Sequence, residues 1–243
     1  MGVYSSRLER EVRLERMRPG QIDRAKAARA AVYVPFGSIE WHGRQNAVGL
    51  DAIKAHEQLV ALAARAGGVV YPPVFFGCGG GHGEYPYSYM VEPAGMVPLV
   101  AQLLQHFQRD GFTAAVLLSG HYPNRHEYLD RAVDAYRAAG GTMRVLAIVE
   151  NQIPDGVGDH AATVETSFMM HLHPETVDLS ALAGRDEDRT GPDQRRNWMG
   201  DEHRDHPCYG ILGVDPRSNA SAEFGRAGTK RLVDFLAGWV DEG

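Results

Sequence analysis

The chain has 243 residues, 44% hydrophobic and 23% charged, which excludes wholesale disorder, a coiled coil and a collagen-like fibre. The formal net charge of −6 argues against a nucleic-acid partner, and no apolar run approaches the ~20 residues of a membrane span. Two cysteines, Cys78 and Cys208, cannot make a disulfide framework. The charges over residues 7–18 show no secretory signal, so a cytoplasmic location is expected. The eleven histidines are an unusual count and turn attention to metal chemistry.

Residues 5–18 read as a short amphipathic helix within an N-terminal extension over 1–30. A β-rich run at 31–36 stops at a glycine. Residues 51–66 place Ile53, Leu59, Val60 and Ala63 on one helical face. Residues 69–71 and 74–76 read as strand, broken by two prolines and closed by a glycine cluster. A helix is predicted over 97–108, a buried strand over 113–118, and a helix over 124–139 with Leu129, Val133 and Tyr136 inward. A strand over 144–149 and a helix over 161–172 follow. Residues 184–207 are polar and charged, and read as an excursion loop or lid. The closing helix over 220–240 turns Leu232, Phe235, Leu236 and Trp239 inward. No repeat or linker divides the chain, so one domain over 1–243 is expected. Strands alternating with helices predict an α/β fold with a mostly parallel sheet and helices on both faces. Ligand sites in such sheets form outside the carboxyl ends of the strands.

The polar residues just past each strand are therefore the ones to examine. After the first strand come Glu40 and His42, two apart and so on one side of an extended segment, and then Asp51 at the start of a helix. Two carboxylates and an imidazole suit a divalent cation; a solvated turn followed by a helix cap has the same spacing. His121 follows the strand over 113–118, where it serves equally as a ligand or as a loop hydrogen-bonder. Asp159 and His160 precede a helix that contains Glu165. His160 and Glu165 are five apart and do not share a helical face. Glu165 reads either as an inward ligand or as a surface helix residue.

Together these segments resemble the creatininase (creatinine amidohydrolase) family. Pro35-Phe36-Gly37-Ser38-Ile39-Glu40-Trp41-His42-Gly43, with Asp51 following, matches its P-x-G-S-x-E-Q-H-G…D segment. Ser119-Gly120-His121-Tyr122-Pro123-Asn124 matches G-H-Y-E-N, and His160-Ala161-Ala162-Thr163-Val164-Glu165-Thr166-Ser167 matches H-A-G-x-x-E-T-S. Gly210-Ile211-Leu212-Gly213-Val214-Asp215-Pro216 and residues 220–225 match a late segment.

The resemblance implies a three-layer αβα fold, a small-molecule substrate and a homo-oligomer, a hexamer in the family. It also implies two divalent ions per chain, whether zinc, manganese or iron. Glu40, Asp51 and His121 would hold one ion, and His42 with a bridging Asp51 the other. Relatives have a glutamate where this chain has Pro123, and Glu165 is the available substitute. Two metals sharing a carboxylate and a solvent molecule activate that water. His160, with Asp159 beside it, would pass a proton to a leaving nitrogen. Gly80 and Gly81 would aim backbone N–H groups at a substrate carbonyl. His82, Tyr122 and Trp198 complete the expected substrate contacts. Elsewhere the pocket wall departs from the family: Trp41 replaces glutamine, Arg44-Gln45 replaces Pro-His, and Tyr85-Pro86-Tyr87-Ser88 replaces F-P-G-T. The expected reaction is hydrolysis of a C–N bond in a small or cyclic amide, an N-formyl group or a peptide-like terminus, with creatinine itself disfavoured. The same centre acting on a carbon skeleton, by diketone hydrolysis or isomerisation, is the alternative, and a catalytically silent ligand binder is another.

Overall fold

The computed structural model describes residues 11–242. Strands β1 (Ala31–Phe36), β2 (Val69–Val70), β3 (Ala114–Ser119) and β4 (Arg144–Val149) form a parallel sheet in the order β2-β1-β3-β4. The connecting helices are α1 (Pro19–Ala28), α2 (Leu50–Ala66), α3 (Pro93–Arg109), α4 (Asp130–Ala138), α5 (Thr163–Leu172), α6 (Pro216–Asn219) and α7 (Ala222–Asp241).

Side chains alternate across the sheet. Val32, Val34, Phe36, Ala115 and Leu117 pack on one face with Val100, Leu104 and Phe107 of α3 and Ala132, Val133 and Tyr136 of α4. Ala31, Tyr33, Ala114, Val116 and Leu118 pack on the other with Leu59 and Leu62 of α2 and Leu232, Leu236 and Val240 of α7. Because both faces are covered, the strands are mostly apolar runs rather than alternating with polar residues. The order is helix, sheet, helix.

Register brings the strand ends together. Phe36 of β1 lies beside Ser119 of β3, and Ser119 beside Val149 of β4. Gly37, Gly120-His121 and Glu150 thus leave the sheet at one edge. Two of these positions must be glycine for packing reasons. A Cβ on Gly37 would fall 2.1 Å from the Ala52 backbone nitrogen, and one on Gly120 would fall 2.2 Å from the Asp51 carbonyl oxygen. The first turn of α2 therefore lies directly on the ends of β1 and β3, which delivers Asp51 to that edge.

Several elements differ from the sequence reading. Residues 11–18 are not an amphipathic helix; they hold a short 3₁₀ turn at Leu14–Arg16. Val12 accepts the Val70 N–H and Arg13 bridges Val70, so this stretch extends the edge of the sheet. Arg18 is extended before Pro19, as the residue before proline prefers, and Pro19 opens α1. The remainder of the expected helix, 5–10, lies outside the described residues. Val74 makes only an isolated bridge to Phe36, because Pro72 and Pro73 offer no N–H to a ladder. The helix expected over 124–139 begins as a π turn, Arg125–Leu129. Phe235 of α7 stays exposed although it was expected inside. Within 184–207 the chain forms β5 (Arg195–Asn197), antiparallel to β6 (Leu212–Val214), and Leu212 also bridges His160.

The Gly120 contact is with backbone, which cannot swing aside. Gly120→Ala should cost about 1–3 kcal/mol of stability or more and loosen Asp51 with it. Denaturant unfolding reads the first effect, and an unchanged midpoint would show that α2 does not rest on this turn.

Candidate metal centre

Glu40, His42, Asp51, His121 and Glu165 converge at this edge, all buried. Asp51 does not cap α2, whose N-cap Gly49 precedes it without a side-chain cap bond. Its Oδ1 lies 3.3 Å from His42 Nε2, and its Oδ2 lies 3.4 Å from His121 Nδ1. Glu40 Oε2 is 2.8 Å from the same His121 nitrogen. Glu165 Oε2 is 3.6 Å from His42 Nε2. Ser38 donates its hydroxyl to Asp51 Oδ2 at 2.7 Å and to Glu40 Oε2 at 3.1 Å.

The imidazoles share one arrangement. His42 Nδ1 donates to the Glu40 carbonyl at 3.1 Å, and His121 Nε2 to the Cys78 carbonyl at 3.2 Å. His160 Nε2 donates to the Trp41 carbonyl at 3.0 Å. In His42 and His121 the other nitrogen is thereby left facing carboxylates, the orientation that backbone partners impose on metal-ligating histidines. Donor atoms of Glu40, Asp51 and His121 lie within 4.8 Å of one another, as do those of His42, His160 and Glu165, and of Glu40, His82 and His160. Buried carboxylate oxygens and unspent imidazole nitrogens at this spacing fit borderline divalent cations.

The charges of the cluster shift one another's protonation. Burial alone would push His42 down, but the carboxylates of Asp51, Glu165 and Glu40 outweigh it and lift the imidazole to about 10. His121 is likewise lowered by burial and raised more by Asp51 and Glu40, again to about 10. Burial opposes ionisation of Glu40 and Asp51 as well, yet the imidazoles hold both carboxyls below the usual carboxylate range. His160 goes the other way: burial, and then the His42 charge, press it down to about 4.

The remaining sequence candidates take varied places. His82 Nδ1 contacts Glu40 Oε1, and its ring lies 4.3 Å from that of His160. Gly80 sits against His121 and Pro123, while Gly81 faces open space. The Tyr122 hydroxyl is turned inward to Glu150 Oε1 at 3.0 Å. Both oxygens of Asp159 are taken by backbone N–H groups of α5, from Val164 at 2.7 Å and Glu165 at 3.2 Å. Burial and the Glu165 charge raise this carboxyl to about 7. Trp198 is buried, stacked on His206 and packed with Ala161 and Ala162.

The sequence reading missed Lys54, Glu150 and Asn124 as organisers of this edge. Lys54 Nζ is fully buried, 2.6 Å from Glu150 Oε1 and 2.9 Å from Glu165 Oε1. Glu150 directly follows β4, so the reasoning applied to His121 after β3 would have found it. Lys54 stands one helical turn after Asp51, which is a weaker signal. Asn124 ties three loops together, donating to Gly37 O and Ser119 Oγ and accepting from Cys78 N.

A parallel α/β sheet with a buried carboxylate–imidazole cluster at its carboxyl edge defines an α/β protein with candidate metal-binding groups. The model of the creatininase family, described as creatinine amidohydrolase, matches residues 15–240, and the chain belongs to that family. It is 26% identical over 183 residues to creatinine amidohydrolase of Pseudomonas putida, spanning 65% of this chain and 70% of that protein. It is 30% identical over 156 residues to the mycofactocin precursor peptide peptidase of Mycolicibacterium smegmatis, spanning 60% of this chain and 59% of that protein. A solved Trp-to-Phe variant of creatininase superposes with a TM-score of 0.79 at 22% identity, covering 96% of this chain and 98% of that one. A zinc–zinc creatininase variant and a manganese creatininase share the fold at TM-scores of 0.76 and 0.78, both at 22% identity and the same coverage.

Because His42 and His121 are lifted to about 10, both are imidazolium at pH 7, and a metal needs them neutral. Filling the centre at pH 7 should therefore release roughly two protons, and apparent affinity should rise with pH up to about 10. Titration calorimetry in two buffers of different ionisation enthalpy counts those protons; a count of zero would contradict the charged imidazoles. Asp51→Ala should abolish bound metal by elemental analysis, and full occupancy would remove Asp51 from the centre.

Proposed function

We propose that the chain is a metal-dependent hydrolase of a C–N bond, acting on a small or cyclic amide, an N-formyl compound or a peptide-like terminus. The observation that carries this reading is the buried set of Glu40, His42, Asp51, His121 and Glu165 with His160 beside it. Glu40, Asp51 and His121 would hold one cation, and His42 and Glu165, with Asp51 between, a second. Divalent cations there supply Lewis acid chemistry, acidifying water and polarising a carbonyl oxygen. The relatives support the bond type: one is named for creatinine and amide hydrolysis, the other as a peptide peptidase.

The chain's own groups handle the proton. His160 donates Nε2–H to the Trp41 carbonyl, and burial favours its neutral form. Its Nδ1 is then the basic nitrogen, able to take a proton and return it to the leaving nitrogen. Asp159 contributes by anchoring the start of α5, which fixes both His160 and Glu165. Ala161 between them has a φ of +55°, a strained conformation that aims its N–H at Glu165 Oε2, 2.7 Å away.

An aromatic wall stands beside His82 and His160. Trp41 donates its indole N–H to the Tyr209 carbonyl at 3.1 Å, and the Tyr209 ring packs 5.1 Å from that of Tyr85. This wall suits a substrate with a flat or aromatic group.

Metal-loaded protein should release amine from a panel of lactams, N-formyl compounds and short peptides. Cleavage of diketones alone would overturn the proposal. His160→Ala should keep its metal and lose about 10²–10⁴-fold in turnover; a variant with unchanged turnover would reduce His160 to a structural residue. The homo-oligomer implied by the family predicts a multiple of the chain mass by light scattering, and a single-chain mass would refute it.

A further inference from the structure

We infer that the cavity between residues 185–188 and the ribbon of β5 and β6 is a binding site for an oxyanion, the carboxylate or phosphate group of a small molecule. It is separate from the metal centre: none of Glu40, His42, Asp51, His121 or Glu165 lines it.

The cavity has a volume of about 460 Å³, within the roughly 300–1,000 Å³ of small-molecule sites. Arg185, Arg195 and Arg196 line it, and Asp188 is its one carboxylate. The lining is therefore positive on a chain whose formal net charge is −6. Asp188 is already engaged. His206 Nδ1 accepts the Cys208 N–H at 3.0 Å, which leaves its Nε2–H to donate to Asp188 Oδ2 at 3.3 Å. Arg185 Nη1 approaches the same oxygen at 4.0 Å. His203, also on the wall, faces Glu202 at 3.6 Å. Neither Arg195 nor Arg196 makes an ion pair or a side-chain hydrogen bond among the described residues. Their planar guanidinium groups keep the paired N–H donors that fit a carboxylate or a phosphate.

The arginines come from two segments that the fold brings together, and each segment is held. Arg185 has a φ of +49°, a conformation that a non-glycine residue keeps only where its surroundings impose it. The clamp is Arg217, whose Nη1 donates to the Gly184 and Arg185 carbonyls at 2.9 and 3.3 Å. Arg217 is itself buried against Asp215, 2.8 Å away. On the other side, β5 is fixed by its pairing with β6. Trp198, directly after β5, is buried and stacked on His206 with ring centroids 5.4 Å apart, and both line the cavity. Like charges held across a concave gap raise its affinity for an anion.

The test is isothermal titration calorimetry of the full-length protein with inorganic phosphate and, separately, with succinate. At least one of the two should bind saturably, at one equivalent per chain. Tighter binding of phosphate would mark the ligand as a phosphate ester, and tighter binding of succinate would mark it as a carboxylate; either supports the site. Arg195 and Arg196 are exposed, so Arg195→Gln combined with Arg196→Gln should leave the fold intact and weaken binding about tenfold or more. Asp188→Asn removes the one anion of the lining and should tighten binding. Dialysis against a chelator should leave binding unchanged, because the metal centre takes no part in it. Four results would each overturn the inference: no saturable binding of either anion, full-strength binding by the double variant, weaker binding by Asp188→Asn, or binding that requires the metal.

Discussion

The structure depends on keeping several carboxylates out of water at one edge of a sheet. Glu40, Asp51, Glu150, Asp159 and Glu165 are all buried there, and an isolated buried carboxylate would be protonated rather than tolerated. Each is compensated differently. Glu40 and Asp51 face imidazoles, Glu150 and Glu165 share one lysine, and Asp159 takes backbone N–H groups from the start of α5. The carboxylates around His42 and His121 favour the charged form of both imidazoles.

The scaffold is organised around that edge. In-register strand ends place three loops side by side, and glycines at 37 and 120 let the first turn of α2 lie on them. Asn124 joins the loops after β1 and β3 to the glycine loop through hydrogen bonds of 2.9–3.1 Å. The imidazoles of His42, His121 and His160 each rest one nitrogen on a backbone carbonyl, so the rings are oriented before any ligand arrives. Such preorganisation is what a metal site needs in order to present donors without further rearrangement.

The pocket wall comes from less regular chain. The ribbon of β5 and β6 leans on His160 through Leu212, and Trp198 fills the space behind Ala161 and Ala162 rather than standing in the opening. The rings of Trp41, Tyr85 and Tyr209, buried or half-buried, pack together beside His82.

The sequence by itself determined what is local. Apolar runs of five or six residues specified β1, β3 and β4, helical periodicity specified α2 and α7, and the residues just past the strands pointed to Glu40, His42, Asp51 and His121. Those signals survive because strand and helix periodicity act over a few residues, and because the carboxyl edge of a parallel sheet is where loops converge. Tertiary structure alone decided the partners of Lys54, which lie 96 and 111 positions away in Glu150 and Glu165. It also decided that Asp159 anchors a helix, that Trp198 is packed inside, and that residues 11–18 run along a sheet edge rather than forming a helix. No local pattern encodes these outcomes, since a buried charge can be tolerated only once folding has brought its counter-charge within hydrogen-bonding distance.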